Sequence, residues 1–214
     1  MDIHSIYNSR MKLAYQIFTP QKEKFLITPN LIVYTFWLLN ILTFITLYVL
    51  GVKINVIILI SSFITAMITP IYFGILAYFK YEKLNGILTN SLLINSTTIT
   101  VQELIYNIND IVKVDLVFKD YYGMMDHYNR RGNYNPRISQ GVGNYIKFTD
   151  KSNQIHHICF KLNHKYEHKE LFPFIIEMIK KNKIPFLRGI ELLGINDYDK
   201  IQEFKEQLKI ETQS

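Results

Sequence analysis

Cysteine is almost missing from this chain. Cys159 stands alone, so no internal disulfide can form, and the composition fits a reducing compartment such as the cytoplasm. Charge is missing over a much longer stretch: between Lys24 and Lys80 the single charged residue is Lys53. No soluble domain presents such a segment to water, so this part of the chain needs another environment. Nucleophile–base spacings and a complete phosphate-loop signature are also lacking; Gly141-Val142-Gly143 by itself is only a G-x-G. Basic residues are not concentrated anywhere. Residues 1–79 hold five basic and two acidic side chains and residues 80–214 hold 19 and 16, an excess of +3 in each. That even division argues against nucleic acid as a partner, and no cofactor is expected.

What is present begins with two apolar tracts, residues 25–52 and 54–79, of 28 and 26 residues. A bilayer core takes about 20 residues of helix at roughly 1.5 Å rise, so each tract is long enough to cross once. Residues 31–52 contain 14 Leu, Ile, Val or Phe. On the insertion scale these contribute about −4 to −8 kcal/mol, which Asn40 and the threonines do not cancel. The second tract has the same count of those four types, with Asn55 near one end and Pro70 inside. Pro70 removes a backbone donor, which membrane helices tolerate when a neighbour takes the freed carbonyl. A transmembrane hairpin is therefore expected over 31–80, with spans at about 31–51 and 54–79.

The connection Gly51-Val52-Lys53 is short, so the two helices run antiparallel. Arg10, Lys12, Lys22 and Lys24 precede the first span, Lys80 and Lys83 follow the second, and Lys53 alone sits between them. Positive charge favours the cytoplasmic side, giving a multi-pass protein of the inner (plasma) membrane with both termini cytoplasmic. A cleaved signal peptide is the competing reading; the apolar run starts too late, is too long and lacks a small-x-small cleavage site. Neither span carries a buried ionisable pair, which points to an anchor rather than a transporter. For the cytosolic or interfacial segment 1–30 two readings stay open: an amphipathic stretch on the headgroups, or packing against the C-terminal domain.

Beyond Lys80 the pattern changes to alternation. Val112, Val114, Leu116 and Phe118 fall on one face of an expected strand, with Lys113, Asp115 and Lys119 on the other. Shorter strands are expected at 91–94, around Ile99 and Val101, around Ile146 and Phe148, and around Ile158, Phe160 and Leu162, separated by turn clusters. Leu171, Ile175, Met178 and Ile179 then recur at helical spacing, with Pro173 either in the first turn or bending a longer helix. Residues 188–195 are ambiguous and read as a short strand. A last helix is expected over 198–209, capped by Asp197, with Ile201, Phe204 and Leu208 inward. The fold class is thus an α+β membrane protein: a two-helix transmembrane hairpin, an antiparallel β domain over 86–183, and a C-terminal strand/helix extension and tail over 184–214.

This layout resembles the bacterial pleckstrin-homology-like domains and is similar to the YcxB-like group of small bacterial membrane proteins. The resemblance rests on residues 92–101, 105–118, 145–162 and the helix over 171–181, which together with the hairpin cover about 31–183. Residues 120–144 and the tail after Ile184 depart from the pattern. The resemblance implies a cytosolic binding or assembly module and brings no catalytic residues.

The candidate binding surface is the segment 120–144, with Tyr121, Tyr122, Tyr128 and Tyr134 beside Arg130, Arg131 and Arg137. Arginine forks onto phosphate or carboxylate, and tyrosine supplies an amphipathic rim. The structural alternative is a hairpin tip with no ligand; segments of this length are usually functional or disordered. A membrane-proximal basic set consists of Lys80, Lys83, Lys180, Lys181, Lys183 and Arg188, suited to anionic headgroups or to a solvated helix end. His156 and His157 point to opposite faces of a strand. His157 and Cys159 share a face near His164, Glu167 and His168, a weak zinc pattern beside the plainer reading of surface histidines. Asp115, Asp120 and Asp126 form no catalytic pair by spacing. The expected function is a non-enzymatic membrane-anchored binding or scaffold module engaging a protein partner, lipid headgroups or itself. An immunity protein that binds a toxin, and a metal-dependent enzyme, are the alternatives.

Overall fold

The computed structural model describes residues 13–22, 27–52, 55–125 and 133–213. In chain order it contains β1 (Leu13–Pro20), α1 (Pro29–Val49), α2 (Val56–Phe79), β2 (Gly86–Ile94), β3 (Thr98–Val101), β4 (Leu104–Asn107), β5 (Ile111–Val117), β6 (Tyr122–Met125), β7 (Ile138–Gln140), β8 (Asn144–Asp150), β9 (Ile155–Phe160), α3 (Phe172–Lys180), α4 (Phe186–Leu193) and α5 (Tyr198–Gln213). The chain divides into two compact units. Met1–Pro20, Gly86–Tyr122 and Gly141–Ser214 make the sheet unit; Gln21–Asn85 and Gly123–Gln140 make the hairpin unit.

In the hairpin unit, two helices long and apolar enough to cross a membrane carry almost no side chains buried by the rest of the chain. Their starts are set by caps: Thr28 accepts from Leu31 N and Pro29 occupies the first turn, while Asn55 accepts from Ile57 N. These caps move the expected boundaries by two residues at each start. Within the helices, Thr43, Thr46, Thr65 and Thr69 donate to the carbonyls four residues earlier, so their hydroxyls need no water. Pro70 lies inside α2 and frees the Ala66 carbonyl; Trp37 Nε1 of α1 donates to that oxygen at 3.0 Å. Asn40 donates to Phe36 O and accepts from Ser62 Oγ of α2. The polar residues that the sequence placed in the spans thus join the two helices.

In the sheet unit seven strands run in the order β4-β3-β2-β1-β9-β8-β5, with each neighbouring pair antiparallel. Two meanders meet where β1 pairs with β9 through Ile17↔Phe160 and Phe18↔Cys159. Of the two readings open for the N-terminal segment, residues 13–20 take the second: they form a central strand, with Tyr15 and Ile17 inward at period two. The hairpin is consequently an insertion between paired strands, because Pro20 and Gly86 are register partners.

The helices close one face of this sheet. Leu171, Ile175, Met178 and Ile179 are all buried, as their spacing predicts, among Leu92, Leu116, Ile146, Phe148 and Phe160. Pro173 sits in the first turn of α3, which follows a short 3-10 segment, Glu167–Leu171. Residues 186–193 are helix α4 rather than strand; Gly194 ends it in the left-handed conformation at φ +67°. Asp197 accepts from Asp199 N and Lys200 N at the start of α5, and Phe204 is buried as expected. One phase differs in β5. Val112 is 51% exposed and Ile111 is buried, because the register with β8 shifts between Ile111 and Lys113. A bulge there turns the first residues over while Val114 and Leu116 keep the expected face.

Candidate functional site

The segment 120–144 is rooted in the sheet unit by one side chain. Asn144 is fully buried; its Oδ1 accepts from Lys119 N (2.8 Å) and Asp120 N (3.2 Å), and its Nδ2 donates to Gly141 O (2.9 Å) and Asp120 Oδ1 (3.2 Å). Asp120 Oδ1 also accepts from Gly143 N. Gly141 has φ +74°, and a Cβ there would lie 2.3 Å from Leu162 O and 2.4 Å from Tyr122 N. Only glycine fits that position. The two glycines singled out by the sequence therefore close a loop.

Beyond the root, residues 123–140 belong to the hairpin unit. β6 and β7 form a two-stranded ribbon. Its return limb docks on the helix ends: Asn30 of α1 accepts from Tyr134 N (2.6 Å) and donates to Asn133 Oδ1 (3.0 Å), and the Tyr34 and Tyr134 rings meet at 6.2 Å. At α2, Arg137 N donates to Ala77 O (2.9 Å) and Ile138 N to Lys80 O (3.3 Å). Glu82 N donates to Ile138 O (2.8 Å), and Gln140 Nε2 donates to Glu82 O. The ribbon thus caps carbonyls at the end of α2. The Arg137 guanidinium lies over the Tyr78 ring, 4.2 Å from its centroid.

Four of the predicted contact residues are described, each with contacts inside its own unit. Tyr134 and Arg137 hold the ribbon to the helices. Tyr121 packs against the sheet core, and Tyr122 is covered by the Lys161 ammonium at 4.6 Å. Tyr128, Arg130 and Arg131 lie outside the described residues, as do Lys53, Arg10, Lys12, Lys24 and Asp126. In the basic set, Lys80 and Lys83 are exposed just beyond α2. Lys181 pairs with Glu177 at 3.2 Å, and Lys180 makes its own polar contacts. Arg188 bonds Glu191 (2.7 Å), Asp115 (3.2 Å) and Leu116 O (2.7 Å); the Glu191 bond, with Asp115, raises its pKa further.

Arg188 has an architectural consequence. With Lys183, whose carbonyl accepts from Val114 N, it covers the β5 edge of the sheet. The opposite edge is β4, beside which no further strand lies among the described residues. Leu104 and Ile105 are 63% and 71% exposed, and as neighbours in a strand they project to opposite faces.

The histidines scatter. His156 Nε2 meets Asp150 Oδ2 at 3.0 Å, its Nδ1 lies 3.4 Å from Tyr106 OH, and its ring stacks on Phe148. Asp150 also accepts from Ser152 N, Ser152 Oγ and Gln154 N at the β8–β9 turn; His156 first, then these bonds, hold its pKa down at about 2. His157 stacks on Tyr145 and lies 3.9 Å from Cys159 Sγ. Burial pushes the Cys159 thiol up, leaving it protonated near neutrality. His168 Nδ1 donates to Lys165 O, and burial lowers its pKa. Glu167 accepts from Asn163 and His164 backbone groups at its own turn. Among the described residues no group of three or more His, Cys, Asp or Glu is placed to hold a metal ion.

No protein-family model, curated protein or solved structure matches the chain. The residues that sequence reasoning missed are Asn30, Tyr78 and Asn144. Each looks ordinary locally, and each acts on a partner 24 or more residues away.

Proposed function

We propose that this protein is a non-enzymatic, membrane-anchored binding module: α1 and α2 cross the inner (plasma) membrane, and a pleckstrin-homology-like sheet domain on the cytoplasmic side takes an extended segment of a protein partner along β4. The observation that carries this reading is the contrast between the two sheet edges. β5 is covered by Lys183 and Arg188, whereas β4 ends the strand order with no further strand beside it among the described residues and carries apolar side chains on both faces. Natural sheets blunt exposed edges with charge, proline or a covering element; Leu104–Asn107 contains neither charge nor proline, and no element among the described residues pairs with its outer side. Strand addition satisfies such an edge through main-chain hydrogen bonds, with alternate side chains selecting the partner.

The register supports the anchored half of the reading. Because Pro20 pairs with Gly86, both ends of the inserted segment return to one sheet, which demands an even number of crossings. Two suitable helices meet that demand, and the lysines and arginines flanking them favour the cytoplasmic side for the sheet. To test the binding surface, a photo-crosslinking amino acid is placed in the full-length protein at Ile105, and separately at the equally exposed Ile155 and Leu187. A discrete protein adduct in membranes from Ile105 alone is expected; equal labelling from all three positions, or none at Ile105, rules out β4 as the docking edge.

A further inference from the structure

Among the described residues Arg137 has no ionic partner. Its backbone N–H is fixed to Ala77 O beside the last turn of α2, and its guanidinium covers Tyr78. Nε is buried and makes no hydrogen bond, as is Asn135 Oδ1 two residues earlier. The ring face and the α2 carboxyl end account for a cation at this position. Neither supplies an acceptor for the guanidinium N–H groups, because these project in the plane of the group while the ring meets its face. The terminal N–H groups of Arg137 are complementary to an oxygen anion, and no described residue provides one.

The position says which anion. The last turn of a spanning helix lies at the headgroup layer, where phosphodiesters supply oxygen acceptors, and Tyr34, Tyr78, Tyr81 and Tyr134 all belong to this end of the hairpin unit, as an interfacial belt requires. Lys80 and Lys83 are exposed beside it and add positive potential. We infer that Arg137, laid over Tyr78, presents its terminal guanidinium N–H groups to the phosphate of an anionic membrane phospholipid. This rests on the reading that α1 and α2 cross a bilayer. Arginine suits the site because its planar fork holds a phosphate by more than one N–H.

The test uses full-length protein in detergent, titrated with phosphatidylglycerol, phosphatidylcholine or inorganic phosphate and read by native mass spectrometry. One retained phosphatidylglycerol per protein is expected, with phosphatidylcholine and inorganic phosphate giving no saturable adduct. Arg137→Gln should weaken retention about tenfold, the equivalent of one charge-assisted hydrogen bond, and Lys83→Gln by less than about twofold, as expected for an exposed charge. Should Arg137→Gln fail to fold, Arg137→Lys keeps the charge without the fork and is expected to lose the retained lipid. Unchanged retention in the folded Arg137 variant overturns the site; a saturable inorganic phosphate adduct overturns the lipid as its ligand. Carbonate extraction of membranes separates the two levels: wild-type protein released by carbonate sinks the anchored reading itself, whereas resistant protein with unchanged lipid retention sinks only the site.

Discussion

Asn144 uses every hydrogen-bonding group of a side chain that water does not reach, joining residues 119–120 to residue 141 across a loop of some twenty residues. Asn144→Ala removes the side-chain acceptor of Lys119 N and Asp120 N in a buried site, while Gly141 O keeps Leu162 N as a donor, and it should destabilise the sheet unit by about 2–4 kcal/mol. A denaturant titration of the detergent-solubilised protein, followed by near-ultraviolet circular dichroism, reads the change; a loss below about 0.5 kcal/mol would mean that the loop root contributes nothing. The neighbouring Gly141 and Gly143 were visible in the sequence as a G-x-G, which suggested, weakly, a ligand-cradling loop. Their role was not legible because it depends on Leu162, Tyr122 and Asp120, which reach Gly141 and Gly143 only through the fold. The same holds for Arg137 and Tyr134: composition marked them as a binding rim, while their immediate contacts lie on helices some sixty and a hundred positions earlier.

Periodicity and caps made the elements themselves far more legible. Both apolar helices form where the uncharged tracts run, and α3 and α5 follow the expected stripes, because helix burial depends on spacing within one segment. Short elements escaped. α4 has eight residues, too few to separate a 3.6 period from a 2.0 period, and the β5 bulge reversed a phase that alternation alone cannot register. Pro70 gives a test at this scale. In the wild type the Ala66 carbonyl, deprived of its helical donor, is held by Trp37. Trp37→Phe should weaken the helix pair by about 1–2 kcal/mol, within the measured range for hydrogen bonds between membrane helices. In a Pro70→Ala background the residue-70 N–H can take that carbonyl, so the same substitution should cost much less. Steric trapping or reversible unfolding in mixed micelles measures the cycle, and additive effects would show that Trp37 Nε1 and Pro70 act independently.

At the scale of the whole molecule, the order of elements along the chain conceals their organisation. Reading forward, a short N-terminal segment, two apolar helices and a polar domain suggest beads in sequence. The fold instead threads the hairpin, and later the β6–β7 ribbon, as two insertions into one sheet unit. Residues 13–20 were not legible as a strand because their alternation is brief and their partners, 86–94 and 159–160, are remote. Both insertions leave and re-enter at adjacent backbone: Pro20 pairs with Gly86, and Gly141 abuts Tyr122 N. A chain in which Asn-Gly replaces Gln21–Asn85 and a short Gly-Ser link replaces Gly123–Gln140 should therefore keep the strand order and core intact, since short turns close paired strands at little entropic cost. It should be water-soluble, rich in β structure by circular dichroism, and unfold in one cooperative thermal transition. Precipitation of the shortened chain, or a melt without a sigmoidal transition, would show that the seven-stranded sheet depends on the inserted segments for its stability, and that the two units fold as one.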